Sequence, residues 1–278
     1  MNAAAKLTAY GAVLAAVFAG AFAAGSAAEP VGLSNAEPVE HASMGQVARG
    51  LPGLAIAEDG YELVPATGTL APGIPTPYEF AIVGEAGAVT RFDVEHTKRM
   101  HLIVVRRDFQ GFIHDHPQMR ADGTWSTTLT ITEPGAYRVF ADFVVDGDKH
   151  TLGADLFVPG DFTPVELPAP AHSADAGDGY QVELDGEVVA GGESELHFTV
   201  KHDGKVVTDI PDYLGAKGHL VALRAGDLAY LHTHADEDRL DFEADFPTAG
   251  DYRLFLQFEH DGAVRTASFT VTPQEQDR

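Results

Sequence analysis

At 278 residues the chain is long enough for two domains of ordinary size, and 45% apolar residues with 16 Phe and 8 Tyr can build real cores, so it is not a disordered protein. Its formal charge of −24, from 18 Lys and Arg against 42 Asp and Glu, excludes nucleic acid as a partner, because phosphates demand a basic surface. There is no cysteine, which excludes disulfides, thiolate zinc sites, cysteine nucleophiles and a lipoprotein anchor.

The chain opens with LTAYGAVLAAVFAGAFAAGSAA, Leu7 to Ala28, 22 residues without a charge, preceded only by Lys6 and the α-amino group. That length crosses ~30 Å of hydrocarbon as a helix. Its Ala/Gly richness and small-residue end also suit a cleavable signal peptide. Residues 1–28 are therefore expected to be a signal anchor or signal peptide. The run exceeds a usual h-region, which favours the anchor. The positive charge keeps the N-terminus inside, so the rest is extracytoplasmic, held at the cell membrane or secreted if cut. Residues 29–52, polar and Pro-containing, read as a flexible tether.

Beyond the tether the pattern is all-β. Short runs rich in Val, Phe, Thr and Tyr are punctuated by Gly, Pro and Asp, and no 3.6-residue periodicity is sustained. VPGDFTPVELPAPAHSADAGDG carries four prolines and reads as an extended linker, placed at 159–176. The flanking regions repeat each other. EDGYELVPATGTLAPG answers GDGYQVELDGEVVAGG, HLIVVRRDFQGFIHDH answers HLVALRAGDLAYLHTH, and EPGAYRVFADF answers TAGDYRLFLQF. The period is one whole strand set, so each copy is a domain and not a solenoid repeat. The expected fold is two tandem antiparallel β-sandwiches, Ig-like or cupredoxin-like, at 53–158 and 177–278.

Histidines stand at 101, 114 and 116 in the first copy and at 219, 232 and 234 in the second, with the same spacing of thirteen residues and then two. His114 and His116, two apart on a strand, share a face. Ala225-Gly226-Asp227-Leu228 reads as a tight hairpin turn, whose ladder pairs 219 with 234 and 221 with 232. The same register pairs 101 with 116 and 103 with 114, although the first copy lacks the Gly-Asp turn. Opposed residues lie about 5 Å apart, so each domain is expected to bring three imidazoles together. A trio supplies three nitrogen ligands and leaves a position open. His96 and His260 are the other histidines that could lie near such sites.

Imidazole suits Cu, Zn and Ni alike. Met100 and Met119 flank the first histidine set, and soft sulfur beside imidazole favours copper, with zinc as the other candidate. The second copy offers Asp236 instead, so two non-equivalent sites are expected.

HLIVVRRDFQGFIHDHP, DGTW, PGAYRVFADF, YLGAKGHLVALRAGDLAYLHTH and AGDYRLFLQFEHDGAVRTASFTV resemble actinobacterial membrane-anchored or secreted proteins suspected of heavy-metal handling. The similarity covers nearly the whole chain. A more distant resemblance is to YtkA-like and CopC-like extracytoplasmic β-sandwiches, associated with copper. What this implies is a sandwich outside the membrane, and no particular activity. A blue-copper centre would need a cysteine ligand, which is absent.

No G-x-S-x-G and no H-E-x-x-H is present, and a hairpin end offers no evident substrate cleft, so an enzyme is not expected. The expected function is an extracytoplasmic metal-binding protein that buffers or delivers metal, copper first. Its partners would be the ion itself and an envelope protein that supplies or accepts it. The alternative is a non-catalytic structural or adhesive Ig-like module whose histidines only pack.

Overall fold

The computed structural model describes residues 50–231, 233–236 and 238–275. The apolar N-terminal segment, most of the tether and His232 lie outside them. Among the described residues no helix is long and apolar enough to cross a membrane.

Both repeats fold as two-layer β-sandwiches, almost wholly antiparallel. In the first domain one sheet runs Ala57–Glu58, Tyr61–Pro65, Thr76–Gly84, Thr124–Leu129, Gln118–Met119. The other runs Asp148–Val158, Gly135–Val145, His101–Arg106, Ile113–Asp115. The second domain repeats this plan, with Ser173–Gly177, Tyr180–Asp185, Gly192–His202, Asp241–Phe246 and Thr233–Ala235 in one sheet. Its partner sheet is Tyr230–Leu231, His219–Arg224, Tyr252–His260, Ala263–Val271. Alternation sets the cores. In TPYEFAIVG, Tyr78, Phe80 and Ile82 point inward, and Leu196, Phe198 and Val200 do the same in the equivalent strand.

GAYRVF and GDYRLF share the pattern Gly-x-Tyr-Arg-x-Phe, which has a mechanical role in each copy. Tyr137 donates its hydroxyl to Glu133 O at 2.8 Å, and Tyr252 donates to Thr248 O at 3.0 Å. Each buried ring thus pins the turn four residues upstream, in the manner of the tyrosine corner of immunoglobulin sandwiches.

HLIVV and HLVAL do not alternate, because these strands are covered on both faces. Leu102 and Val104 enter the first core and Leu220 and Ala222 the second, whereas Ile103, Val105, Val221 and Leu223 meet in a third, interdomain core. There Phe112 stacks on Phe255, ring centres 4.1 Å apart, and Tyr230 packs on Phe140 at 5.6 Å. Phe140 and Phe255 occupy the same repeat position, so these two ring pairs are counterparts across the interface. We call the sheets that meet here inner and the other two outer.

The connecting segments are fastened to this interface. Tyr230 N–H donates to Pro52 O at 2.9 Å, and the Arg138 guanidinium donates to Gly53 O and Leu54 O, each at 2.8 Å. Gly53 (φ 76°) passes so close to Phe140 that a Cβ would lie 2.6 Å from its ring carbons. In the linker, Val165 N–H donates to the Asp108 carboxylate at 2.9 Å and Leu167 packs on the interdomain core. The strand Ser173–Gly177 pairs with Tyr180–Asp185, so the second sandwich takes up the last residues of the segment read as linker. Gly50–Arg278 is one compact unit.

Candidate metal centre

The ladder between His101–Arg106 and Ile113–Asp115 pairs Ile103 with His114 and Leu102 with Asp115, the register expected from the spacing, and it sets His116 beside His101. The first copy reaches this register without a Gly-Asp turn. The Arg106 guanidinium grips Asp108 at 2.7 Å, as Arg224 grips Asp227 in the second copy. Asp115 lies between the two histidines but on the other face. It accepts from Thr127 Oγ1 and, at 2.8 Å, from His116 N–H, which fixes the strand against the outer sheet. HDH is thus two inward imidazoles with an anchor between them.

His101 Nδ1 lies 3.0 Å from His114 Nε2 and 3.2 Å from His116 Nε2. One ring nitrogen from each residue falls within 4.8 Å of the others. In a tetrahedral site with bonds of ~2.0–2.1 Å, ligand nitrogens stand about 3.3 Å apart, close to this spacing. The opposite ring nitrogens are held from behind. His101 Nε2 can only donate to the Glu95 carbonyl, at 3.3 Å. His114 Nδ1 donates to Gln257 Oε1 at 2.7 Å, and Gln257 is oriented by donating its own amide to Thr266 Oγ1 at 3.2 Å. Two lone pairs, on His101 Nδ1 and His114 Nε2, therefore face each other with no proton between them. Such backing by outer hydrogen bonds is how metal-ligating histidines are held in one tautomer.

Burial, first of all, keeps these rings neutral. Burial pushes His101 down to about 4, and burial with the neighbouring His101 takes His114 to about 4. Burial, His114, His101 and Lys98 together take His116 to about 3. Across the ladder from His101, Asp142 accepts from Thr151 Oγ1 at 2.7 Å, and Lys149 lies between Asp142 (3.7 Å) and Glu95 (3.1 Å). Two carboxylates against one ammonium leave the surroundings negative. That field favours a cation at the trio, whereas for the individual rings burial outweighs it and opposes protonation.

The other expected ligands are placed differently. Met100 faces away from the trio: neighbours on a strand face opposite ways, so with His101 at the interface the thioether enters the first core. Met119 packs at the edge of that core, on the strand that crosses to the outer sheet. His234 does not join His219. Thr233–Ala235 pairs with the outer strand Asp241–Phe246, which leaves His234 exposed near Glu243 and His197. Asp236 goes with it, and His232 lies outside the described residues. His219 stays on the inner sheet and reaches the first domain's trio, its ring centre 6.2 Å from that of His101 and 6.1 Å from that of His114. His96 stands beside it at 5.0 Å, whereas His260 bonds to Tyr180 and not to the cluster.

Gln257, Asp142 and Lys149 escaped the sequence reading. A signal was there: Asp142 and Gln257 hold the same repeat position and are the polar residues within VFADF and LFLQF.

Among solved structures, the chain is similar to the Escherichia coli adhesin FdeC (14% identity, 80% of this chain, 66% of that one, TM-score 0.27). It is likewise similar to elastase-activated Escherichia coli alpha-2-macroglobulin (14%, 77% of this chain, 20% of that one, TM-score 0.28). An I-band fragment of titin also matches (13%, 77% of this chain, 65% of that one, TM-score 0.22). The chain thus spans less than two thirds of the macroglobulin and titin structures and about two thirds of the adhesin. No curated protein matches. One family profile, Domain of unknown function (DUF8832), matches twice, over residues 56–160 and 174–275, once on each sandwich, and the chain belongs to that family.

Proposed function

We propose that this protein is an extracytoplasmic metal-binding protein that holds a late first-row divalent ion, Cu(II) or Zn(II), on His101, His114 and His116, and buffers it or hands it on. The observation that carries this reading is the 3.0 Å approach of His101 Nδ1 to His114 Nε2, with the opposite ring nitrogens bonded to Glu95 O and Gln257 Oε1. A metal ion supplies the positive charge that buried rings with pKa values near 4 do not gather from solution. With Met100 and Met119 outside the ligand set, imidazole alone favours a borderline divalent ion over Cu(I). His116 also lines an open groove of about 1090 Å³ beside Met100, Met119 and Lys98, which gives the ion a route in and out.

The test is competition between the full-length chain and a chromophoric chelator for Cu(II) and Zn(II). A dissociation constant below ~1 μM is expected, lost when all three histidines become alanine. No binding at that level, or binding indifferent to the triple substitution, sinks the reading.

A second reading, a structural Ig-like module with packing histidines, is favoured by the His114 to Gln257 hydrogen bond, which joins the domains directly. It expects the triple substitution to lower the thermal midpoint in metal-free buffer and no metal to bind.

A further inference from the structure

We propose that His219, from the second domain, is the fourth ligand of the first domain's three-His site, so that the bound ion ties the two sandwiches together. The inference rests on the metal reading above and completes its coordination sphere.

His219 is built like His101. Its Nε2 donates to Tyr213 O at 2.9 Å, as His101 Nε2 donates to Glu95 O, each to the carbonyl six residues upstream. Both carbonyls belong to matching bridged turns, Tyr213 with Ala216 and Glu95 with Lys98. The shared bond fixes the same tautomer, leaving the lone pair of His219 on Nδ1. That ring is only 8% exposed. Among the described residues no hydrogen bond engages it.

Distance and space are both suitable. Four imidazoles on one tetrahedral ion have ring centres about 5 Å apart. The trio already has this spacing, at 5.3, 4.9 and 4.8 Å. His219 is 6.2 and 6.1 Å from His101 and His114 and makes no ring contact with His116, so to complete the set its ring must move in toward the trio from the side of His101 and His114. A small cavity of about 40 Å³, lined by His96, His101, His114 and His219, leaves room for that movement. Asp142 and Lys149 line the same cavity, and with Glu95 they make its wall net negative. His96 is the rival. Its ring approaches His101 at 6.2 Å but has no ring contact with His114, so it sits to one side of the trio.

The test uses the full-length chain and Zn(II) or Cu(II) alone, by chelator competition, with the visible absorption of the Co(II)-loaded protein as a second readout. H219A is expected to weaken binding by at least the ~10–100-fold that loss of an outer-shell partner costs, and to shift the Co(II) bands as water replaces a nitrogen. Should H219A fail to fold, H219Q is read in its place, since its amide can still donate to Tyr213 O. H96A is expected to change neither readout. If the wild type binds metal and H219A (or H219Q) matches it in affinity and spectrum, or if H96A is the variant that weakens binding, the inference is overturned while the three-His site stands. A wild type that binds no metal overturns both.

Discussion

The two sandwiches carry the same histidine spacing, begun in each by a histidine on the inner sheet, His101 or His219, yet they use it differently. In the first domain the chain stays on the inner sheet through Asp115, and Pro117, which cannot donate to a ladder, closes the strand just after His116. Only then does it cross to the outer sheet at Gln118. In the second domain the crossing comes sooner. Leu231 is still paired with Ala222, but Thr233 already pairs with Ala244 of the outer sheet, and His234 is carried to the surface. Where a strand changes sheets, more than how its histidines are spaced, decides whether three imidazoles meet.

What the domains share is their interface, and breaking it should have the largest effect. Phe255 is buried, stacks on Phe112 and lies two residues from Gln257. F255A should cost ~3–5 kcal/mol of stability by leaving a cavity between the sheets. It should also weaken metal binding, because Gln257 would no longer hold His114. Denaturant unfolding followed by chelator competition measures both. A loss below ~1 kcal/mol would mean that the interdomain core contributes little.

The divergence of the two histidine sets is sharpened by pairing H114A with H234A. Removing His114 deletes an inner ligand and should lower affinity by more than ~100-fold, beyond what outer-shell losses cost. Removing the exposed His234 should change nothing. A comparable loss in both variants would mean that the second set also holds metal.

Much of this was legible in the chain. The repeat, the all-β class and the hairpin register follow from period-2 alternation and turn residues, which are local signals. Alternation by itself also places Met100 opposite His101, so the thioether was attractive only while proximity in sequence stood for proximity in space. Three features were not legible. The early crossing at Thr233 depends on competition between two sheets for one short strand. The approach of His219 to the other domain's trio depends on which sheets meet. The backing of His114 by Gln257 spans 143 positions. All three are tertiary facts that no local pattern encodes, although the polar residue shared by VFADF and LFLQF marked the place.

Acid separates the buried histidines from the rest of the fold. His101, His114, His116 and His219 have folded pKa values of about 3 to 4, below the ~6.5 of an unfolded chain. As pH falls the unfolded chain takes up these protons first. The stability that neutral rings contribute is therefore fully present above about 6.5 and is lost as pH drops toward 4. Removing one buried histidine, as in metal-free H219A, should make the fall of stability with pH shallower by about 1.4 kcal/mol per pH unit across that window. Urea unfolding in metal-free buffer at several pH values gives the slope. Parallel slopes for wild type and H219A would show that His219 titrates normally in the fold.

The smallest expected effect concerns what has not diverged. Tyr137 and Tyr252 stand at the same repeat position, both rings fully buried, and each hydroxyl donates to a carbonyl four residues upstream. Replacing either by Phe keeps the ring in the core and removes one neutral hydrogen bond, so each should cost about 0.5–1.5 kcal/mol. Tyr252 also bonds Thr248 Oγ1 at 3.0 Å, but that hydroxyl already receives Arg224 Nη1, so the two costs should stay close. Metal affinity should be unchanged in both variants, because neither hydroxyl belongs to the hydrogen-bond network behind the histidines. If Y137F destabilised the fold far more than Y252F, or shifted metal affinity, the turn at Glu133 would be coupled to the site. The two sandwiches would then differ in their frames as well as in their histidines.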